Sequence, residues 1–311
     1  MGVGDTSLMR RRWLVRSIFS LVVLLAFIWA LIPAVRAISL VANTSGRGAD
    51  PDPRTADALP VQTVHFAATD GVALSGWLAI ASPDAPTLIL AHGFKSTRRS
   101  MLPWARYLFH AGYNVLLYDS RGCGASAGWG IGVGATEPND LLGATRYLRS
   151  RPDLRNKRFA ALGVSLGAGD VLLAAARDPS LVAVIADSPW ADERVQLDRT
   201  ASLSVGRVAV PLLPYAPALV DALVGARLED ARPAAAAASI SPRALMIITS
   251  ADDRNATTDP ADQQRIYDAA GSPRVHWIAP SGGHAGALYA NTAQYQARTL
   301  AFLALYLGAP R

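Results

Sequence analysis

The sequence predicts an α/β protein: a mostly parallel central sheet with helices on both faces, preceded by one membrane-crossing helix. Three observations carry that expectation. From Val61 onward, short apolar runs alternate with stretches of helical periodicity, the pattern of strand–helix–strand units whose strands lie parallel. Ahead of them, Ile18 to Val35 (IFSLVVLLAFIWALIPAV) contains no charged residue. Between the two, Asn43 to Pro60 (NTSGRGADPDPRTADALP) has the glycine, proline and aspartate content of a linker. The expected organisation is a cytoplasmic stub and anchor over 1–37, a linker over 38–60, and one domain over 61–311.

A helix needs about 20 apolar residues to cross the hydrocarbon core of a bilayer, and the run from Ser17 supplies nearly that length. Arg10, Arg11, Arg12 and Arg16 precede it, so the positive-inside bias keeps the N-terminus cytoplasmic and places the domain on the outer side. Trp29 suits an interfacial anchor. Two other readings compete. A signal peptide cleaved near Val35-Arg36-Ala37 would release a secreted protein beginning near Ile38, but the apolar run exceeds the usual signal core. A buried core helix is disfavoured because the run is apolar on every side.

Within the domain, VQTVHFAAT and VALSGWLAI alternate around Thr69-Asp70-Gly71 and read as an antiparallel hairpin. PTLILAHG, YNVLLYDS, RFAALGVS, LVAVIADS, RALMIITS and RVHWIAPS follow as strands, with helices expected near 100–111, 140–149, 166–178 and 292–307. Residues 190–233 stand outside this alternation. They are apolar and proline-punctuated, and read either as core helix, the favoured alternative, or as a small cap over a pocket mouth.

The 311 residues are 51% hydrophobic and 17% charged, with a net charge of +6. Five arginines against Asp5 put +4 of that into the first 36 residues, leaving +2 for the remainder. A nearly neutral domain has no basic stripe for tracking phosphates, so no nucleic-acid partner is expected. The single cysteine, Cys123, can form no intramolecular disulfide, and no zinc-ligand spacing occurs. Gly122 to Gly134 lacks the spacing and helix of a dinucleotide loop. No metal and no cofactor are expected.

Gly163-Val164-Ser165-Leu166-Gly167 is a G-x-S-x-G pentapeptide placed directly between a strand and a helix, the context of a nucleophile elbow. A serine hydroxyl needs a base, and the base an orienting acid. Of the five histidines, only His284 lies in a glycine-rich loop just past the last strand, where it can reach over the sheet edge. Ala251-Asp252-Asp253 follows another strand end, where catalytic groups gather in open α/β sheets. Asp253 is the favoured acid, with Asp252 second and Asp259 third. His92-Gly93-Phe94 ends a central strand, so the backbone N–H groups of Phe94 and Leu166 are the expected oxyanion donors.

HGF at 92–94, YDSRGCGAS at 118–126, GVSLG at 163–167, SADD at 250–253 and GGH at 282–284 together resemble the α/β-hydrolase superfamily. The likeness is to its bacterial serine hydrolases of the Bem46-like and S9- and S33-type peptidase and esterase branches. It spans nearly everything after Val61 and has the family's order, Ser, Asp, His. The resemblance implies the α/β-hydrolase fold. In relatives the acid follows a G-x-x-D pattern; Ser250 replaces that glycine here, and the pattern still selects Asp253. The D-x-R-G-x-G-x-S stretch is a structural turn in relatives, so Asp119 and Cys123 are assigned no catalytic role. The expected activity is cleavage of an ester, thioester or amide through an acyl-enzyme, on a small-molecule or lipid-like acyl substrate. Carboxylesterase chemistry is favoured over peptidase chemistry, because no propeller or second domain is read that would gate peptides. Acyl transfer uses the same residues; a non-catalytic membrane protein reusing the fold is the rival from another class.

Overall fold

The computed structural model describes residues 6–43, 59–200, 202–205, 208–211, 215–255 and 257–310. The linker stretch 44–58 lies outside them. Eight strands form one sheet: β1 (Val61–Ala67), β2 (Ala73–Ala79), β3 (Thr87–Ala91), β4 (Asn114–Tyr118), β5 (Phe159–Val164), β6 (Leu181–Asp187), β9 (Ala244–Ser250) and β10 (Arg274–Ala279). Their order is β1-β2-β4-β3-β5-β6-β9-β10. β1 and β2 pair antiparallel, as do β2 and β4, and all other neighbours are parallel. The expected hairpin and the parallel core are both present.

The central strands carry apolar residues on both faces because helices cover both. Leu88 and Leu90 of β3 face α2 (Leu102–His110) and α10 (Thr292–Tyr306), while Ile89 between them joins α3 (Pro138–Ser150) and α4 (Leu166–Arg177). Such two-sided burial turns the alternation of a half-exposed strand into the continuous apolar runs TLILA and NVLLY.

Helix α1 runs from Thr6 to Val41. Every side chain from Met9 to Ile32 is exposed, which rules out the core-helix reading; Met9–Val41 is long and apolar enough to cross a membrane or to serve as a signal sequence. The linker does not begin at residue 38 as the composition suggested. The helix continues to Val41, and Ala42 bridges Gly130 in antiparallel fashion. Asn43 then donates to the Gly122 carbonyl at 3.1 Å and to Cys123 Sγ at 3.2 Å. Pro33, Ala37 and Val41, four residues apart on one helix face, are buried against the domain. Ala37 and Val41 join Cys123, Ile131, Val133 and Val220 in a third apolar cluster. The end of α1 is docked on the domain, not merely tethered to it.

The 190–233 insertion is not a single core helix. It contains α5 (Glu193–Thr200), a two-stranded hairpin of β7 (Ser202–Val205) and β8 (Val208–Pro211), and α6 (Ala216–Val224), ahead of α7 (Pro233–Ala237). Ala216, Pro217 and Val220 are the buried face of α6, and Tyr215 meets Trp29 of α1 edge-on at 4.7 Å between ring centroids. Periodicity misread this segment because its apolar residues serve three short elements rather than one long one.

The docking has a direct test. Ala37 is 1% exposed whereas Ile38 is 50% exposed, so Ala37→Lys puts an unpaired charge into the third cluster and Ile38→Lys does not. In detergent micelles, Ala37→Lys is expected to lower Tm by roughly 5–10 °C, with Ile38→Lys unchanged within about 2 °C. Equal effects would show that α1 does not dock on this face.

Candidate active site

Ser165 sits between β5 and α4 with φ +57° and ψ −116°, a strained backbone that costs about 1–3 kcal/mol and persists only where surroundings enforce it. The flanking glycines show what enforces it. A Cβ on Gly163 would lie 2.0 Å from the Gly167 carbonyl oxygen, and one on Gly167 would lie 2.4 Å from the Ala91 carbonyl oxygen. Only glycine lets the strand, the turn and the neighbouring β3 approach so closely. Trp190 Nε1 donates to the Leu166 carbonyl at 3.0 Å and braces the turn from the insertion.

Ser165 Oγ lies 2.8 Å from His284 Nε2, and His284 Nδ1 lies 3.1 Å from Asp253 Oδ2. Asp253 is buried, and its other oxygen accepts the Asn255 N–H at 2.8 Å. The three residues expected from the sequence are therefore brought together. The other two candidate acids are elsewhere. Asp252 accepts the Gly283 N–H at 2.8 Å, which holds its carboxyl below the usual range, and so pins the loop carrying His284. Asp259 caps α8 (Pro260–Ala269) by accepting from Ala261 N–H at 2.7 Å. Phe94 and Leu166 line the same cavity as Ser165 and His284. Leu166 opens α4, so its N–H is among those a helix start leaves unpaired.

His92 is structural. Its Nε2 accepts the Ser120 N–H at 3.0 Å, so Nδ1 carries the hydrogen and donates to the Gly93 carbonyl at 2.8 Å. Burial lowers its pKa and keeps it neutral. It thereby holds the Gly93-Phe94 turn against Ser165: a Cβ on Gly93 would lie 3.4 Å from that of Ser165. His276 bonds to Thr249 at 2.8 Å, remote from this arrangement. Cys123 is buried, and desolvation pushes its thiol up to about 12, which leaves it inert. Asp119 accepts the backbone N–H groups of Arg98 and Ala125 and is a turn-former. Among the described residues no group of three or more His, Cys, Asp or Glu side chains can hold a metal.

Three supporting residues escaped the sequence reading. Thr258 Oγ1 lies 2.8 Å from His284 Nδ1 and shares that position with Asp253. Ser188, at φ +55°, accepts the Ala285 N–H at 3.2 Å and donates to Asp187 at 3.0 Å. Asp187 also accepts from the Tyr295 hydroxyl at 2.9 Å, which in turn accepts from Trp104. Asp187 and Ser188 end the strand LVAVIADS, the one sequence signal that marked them. Burial lifts the Asp187 carboxyl to about 6, against the two hydroxyl donors that lower it.

A carboxyl whose pKa rises on folding binds protons more tightly in the folded state, so stability falls as pH rises from about 4 to about 6. Asp187→Asn removes this contribution, worth roughly 3 kcal/mol across the window. Urea unfolding at pH 4, 5, 6 and 7 is expected to show a gap between variant and wild type that shifts toward the variant as pH rises. Parallel profiles would place the Asp187 carboxyl outside this window.

Comparison with known proteins places the fold among α/β-hydrolases. Residues 70–292 match the family model described as X-Pro dipeptidyl-peptidase (S15 family). The protein YfhR of Salmonella typhi is 28% identical over 297 residues, covering 92% of this chain and 94% of that protein. The polyketide transferase grgF of Penicillium is 36% identical over 141 residues, a match spanning 44% of this chain and 48% of the relative. Among solved structures, the Pyrococcus furiosus esterase Pf2001 superposes with TM-score 0.70 at 22% identity, covering 86% of this chain and all of that one. Penicillium GrgF does so with TM-score 0.64 at 26% identity, over 80% and 99%. The motif resemblance reached the superfamily, and the branch whose model matches is S15. With the matched region covering β2 to β10, the elbow and the His284 loop, the chain belongs to the X-Pro dipeptidyl-peptidase (S15) family of α/β-hydrolases.

Proposed function

We propose that the protein is a membrane-anchored serine hydrolase that cleaves a carboxylic ester through an acyl-enzyme. The observation that carries this reading is the Ser165–His284–Asp253 relay, at 2.8 and 3.1 Å, on a strained elbow. In the proposed mechanism Ser165 Oγ attacks the acyl carbonyl while His284 Nε2 takes the hydroxyl proton. Asp253 and Thr258 hold the imidazole so that Nδ1 keeps its hydrogen. The negative charge on the carbonyl oxygen falls between the Phe94 and Leu166 amides, where losing one donor typically costs about 10²–10³ in rate. His284 returns the proton to the departing alcohol, and a water activated by the same imidazole releases the acid.

The cavity of about 630 Å³ beside Ser165 is walled by Met101, Trp104, Val164 and Tyr289, a size and lining suited to a small acyl group or chain. A second reading is acyl transfer or thioester cleavage. It draws on relatives named polyketide transferase and, at 31% identity over 129 residues, thiohydrolase aneE of Aspergillus aculeatus. An added alcohol or thiol acceptor that diverts product from free acid to a new ester would favour it.

Ser165→Ala is expected to abolish labelling by a fluorophosphonate probe while the fold persists. Asp253→Asn should lower kcat by about 10⁴, as in serine proteases with a misoriented histidine. Asp252→Asn, which loosens only the loop anchor, should cost about tenfold or less, one hydrogen bond's worth. A reversal of the two aspartate effects would move the acid one residue earlier.

For location, we propose an uncleaved single-pass anchor with the N-terminus inside and the domain outside, supported by four arginines before the apolar run. The protein should stay with membranes through an alkaline carbonate wash, and protease should reach the domain only after the outer barrier is opened. A soluble form starting near Ile38 would instead identify a cleaved signal.

A further inference from the structure

The cavity at Ser165 has a wall that no catalytic element provides. Arg36 and Leu40, from the last turns of α1, line it together with Ser165, His284 and Phe94. Those turns are held in register with the oxyanion turn: Lys95, next to Phe94, donates its ammonium to the Ser39 carbonyl at 2.5 Å. Ala37 and Val41 bury the neighbouring face of the same turns, and Leu40 packs against the same cluster. Helix end and catalytic turn thus form one body.

Charge at the cavity is one-sided. Lys95 is engaged by Ser39 and is not part of the lining. Glu193 lines the cavity, but burial drives its carboxyl strongly toward the neutral form. Arg36 has no carboxylate within ion-pair distance among the described residues. A guanidinium stays charged at any physiological pH and suits phosphate or carboxylate oxygens. Met101, Trp104, Val164 and Tyr289 add apolar wall to the same cavity.

The height of this cation is set by the helix. Arg36 is the first charge after the run ending at Val35, seven residues or about 10 Å beyond Trp29 at the helical rise. Trp29 meets Tyr215 at the start of α6, so the insertion reaches the aromatic level of the anchor, where such rings sit at the head-group layer. On the anchor reading proposed above, this places Arg36 just beyond the head-group layer, with the cavity it lines beside it.

We propose, resting on the hydrolase reading above, that the end of α1 is the head-group subsite: Arg36 binds the anionic group of a single-chain acyl ester drawn from the bilayer, with Leu40 bordering its path to Ser165. The anchor is then part of the specificity apparatus as well as a location signal.

The test uses the full-length protein in phosphatidylcholine nanodiscs and two esters differing only in the phosphate, dodecanoyl glycerol phosphate and dodecanoyl glycerol. Wild type is expected to favour the phosphate ester about tenfold in kcat/KM. Arg36→Ala should bring that ratio to about one, Arg36→Glu should invert it, and Arg36→Lys should keep most of it. The Lys variant and fluorophosphonate labelling of each protein report whether the site remains assembled. No phosphate preference in wild type, or equal losses on both esters in labelled Arg36→Ala, would overturn the proposal. The soluble butyryl pair decides the source: a higher kcat/KM on butyryl than on dodecanoyl glycerol phosphate would overturn the bilayer origin. Absence of labelling at Ser165 in wild type would instead strike the hydrolase reading itself.

Discussion

The approach of Gly163 to the Gly167 carbonyl, and of Gly167 to the Ala91 carbonyl, is the constraint on which the site depends. It closes the strand-to-helix turn tightly enough to force Ser165 to φ +57°, and it draws β3 and its Gly93-Phe94 turn alongside. A methyl group at either glycine would meet backbone, which cannot move without moving the sheet. The energy held in one residue's backbone is therefore sustained by the whole parallel core behind it. Among the described residues four other non-glycine residues take positive φ, and three of them, Lys95, Ser188 and Ala285, belong to turns around Ser165. Strain is concentrated where groups must be aimed.

Around this turn the protein arranges donors more than charges. His92 is held neutral by burial and used as a brace between Ser120 and Gly93. Asp252 fixes the His284 loop through a backbone amide, and Asp253 faces the imidazole beside Thr258. The two adjacent aspartates thus divide one task, orienting the loop and orienting the ring. Asp187, Ser188 and Tyr295 form a second buried layer that reaches Ala285, the residue after His284. Buried polar chains of this kind are costly unless every member is satisfied, and each link here has a partner.

The docked end of α1 ties the helix to the domain at a fixed place. A flexible linker here would leave the domain free to sample distances and orientations relative to the helix. Burial of Ala37 and Val41, the Ala42–Gly130 bridge and the Lys95–Ser39 contact remove that freedom. The cavity is then fixed relative to the helix axis, and Trp190, Glu193 and Gln196 of the insertion supply part of its wall.

The sequence by itself determined the α/β class, the strand order along the chain, the elbow and the two loops that bring His284 and Asp253 to one sheet edge. These were legible because each depends on local chemistry: period-two and continuous apolar runs, glycines at a forced turn, polar groups directly after strand ends. Tertiary structure alone decided the rest. Asp252 and Asp253 are equivalent neighbours in sequence, and only the path of the chain after Ser250 turns one inward and the other toward Gly283. The 190–233 segment reads as apolar in any conformation, so its division into helix, hairpin and helix depends on the cavity and on α1, against which it packs. Arg36 looks like a flanking charge after an apolar run. It becomes a cavity residue because Ala37 and Val41 find a buried surface formed by residues 80 or more positions away, a contact that no local pattern encodes.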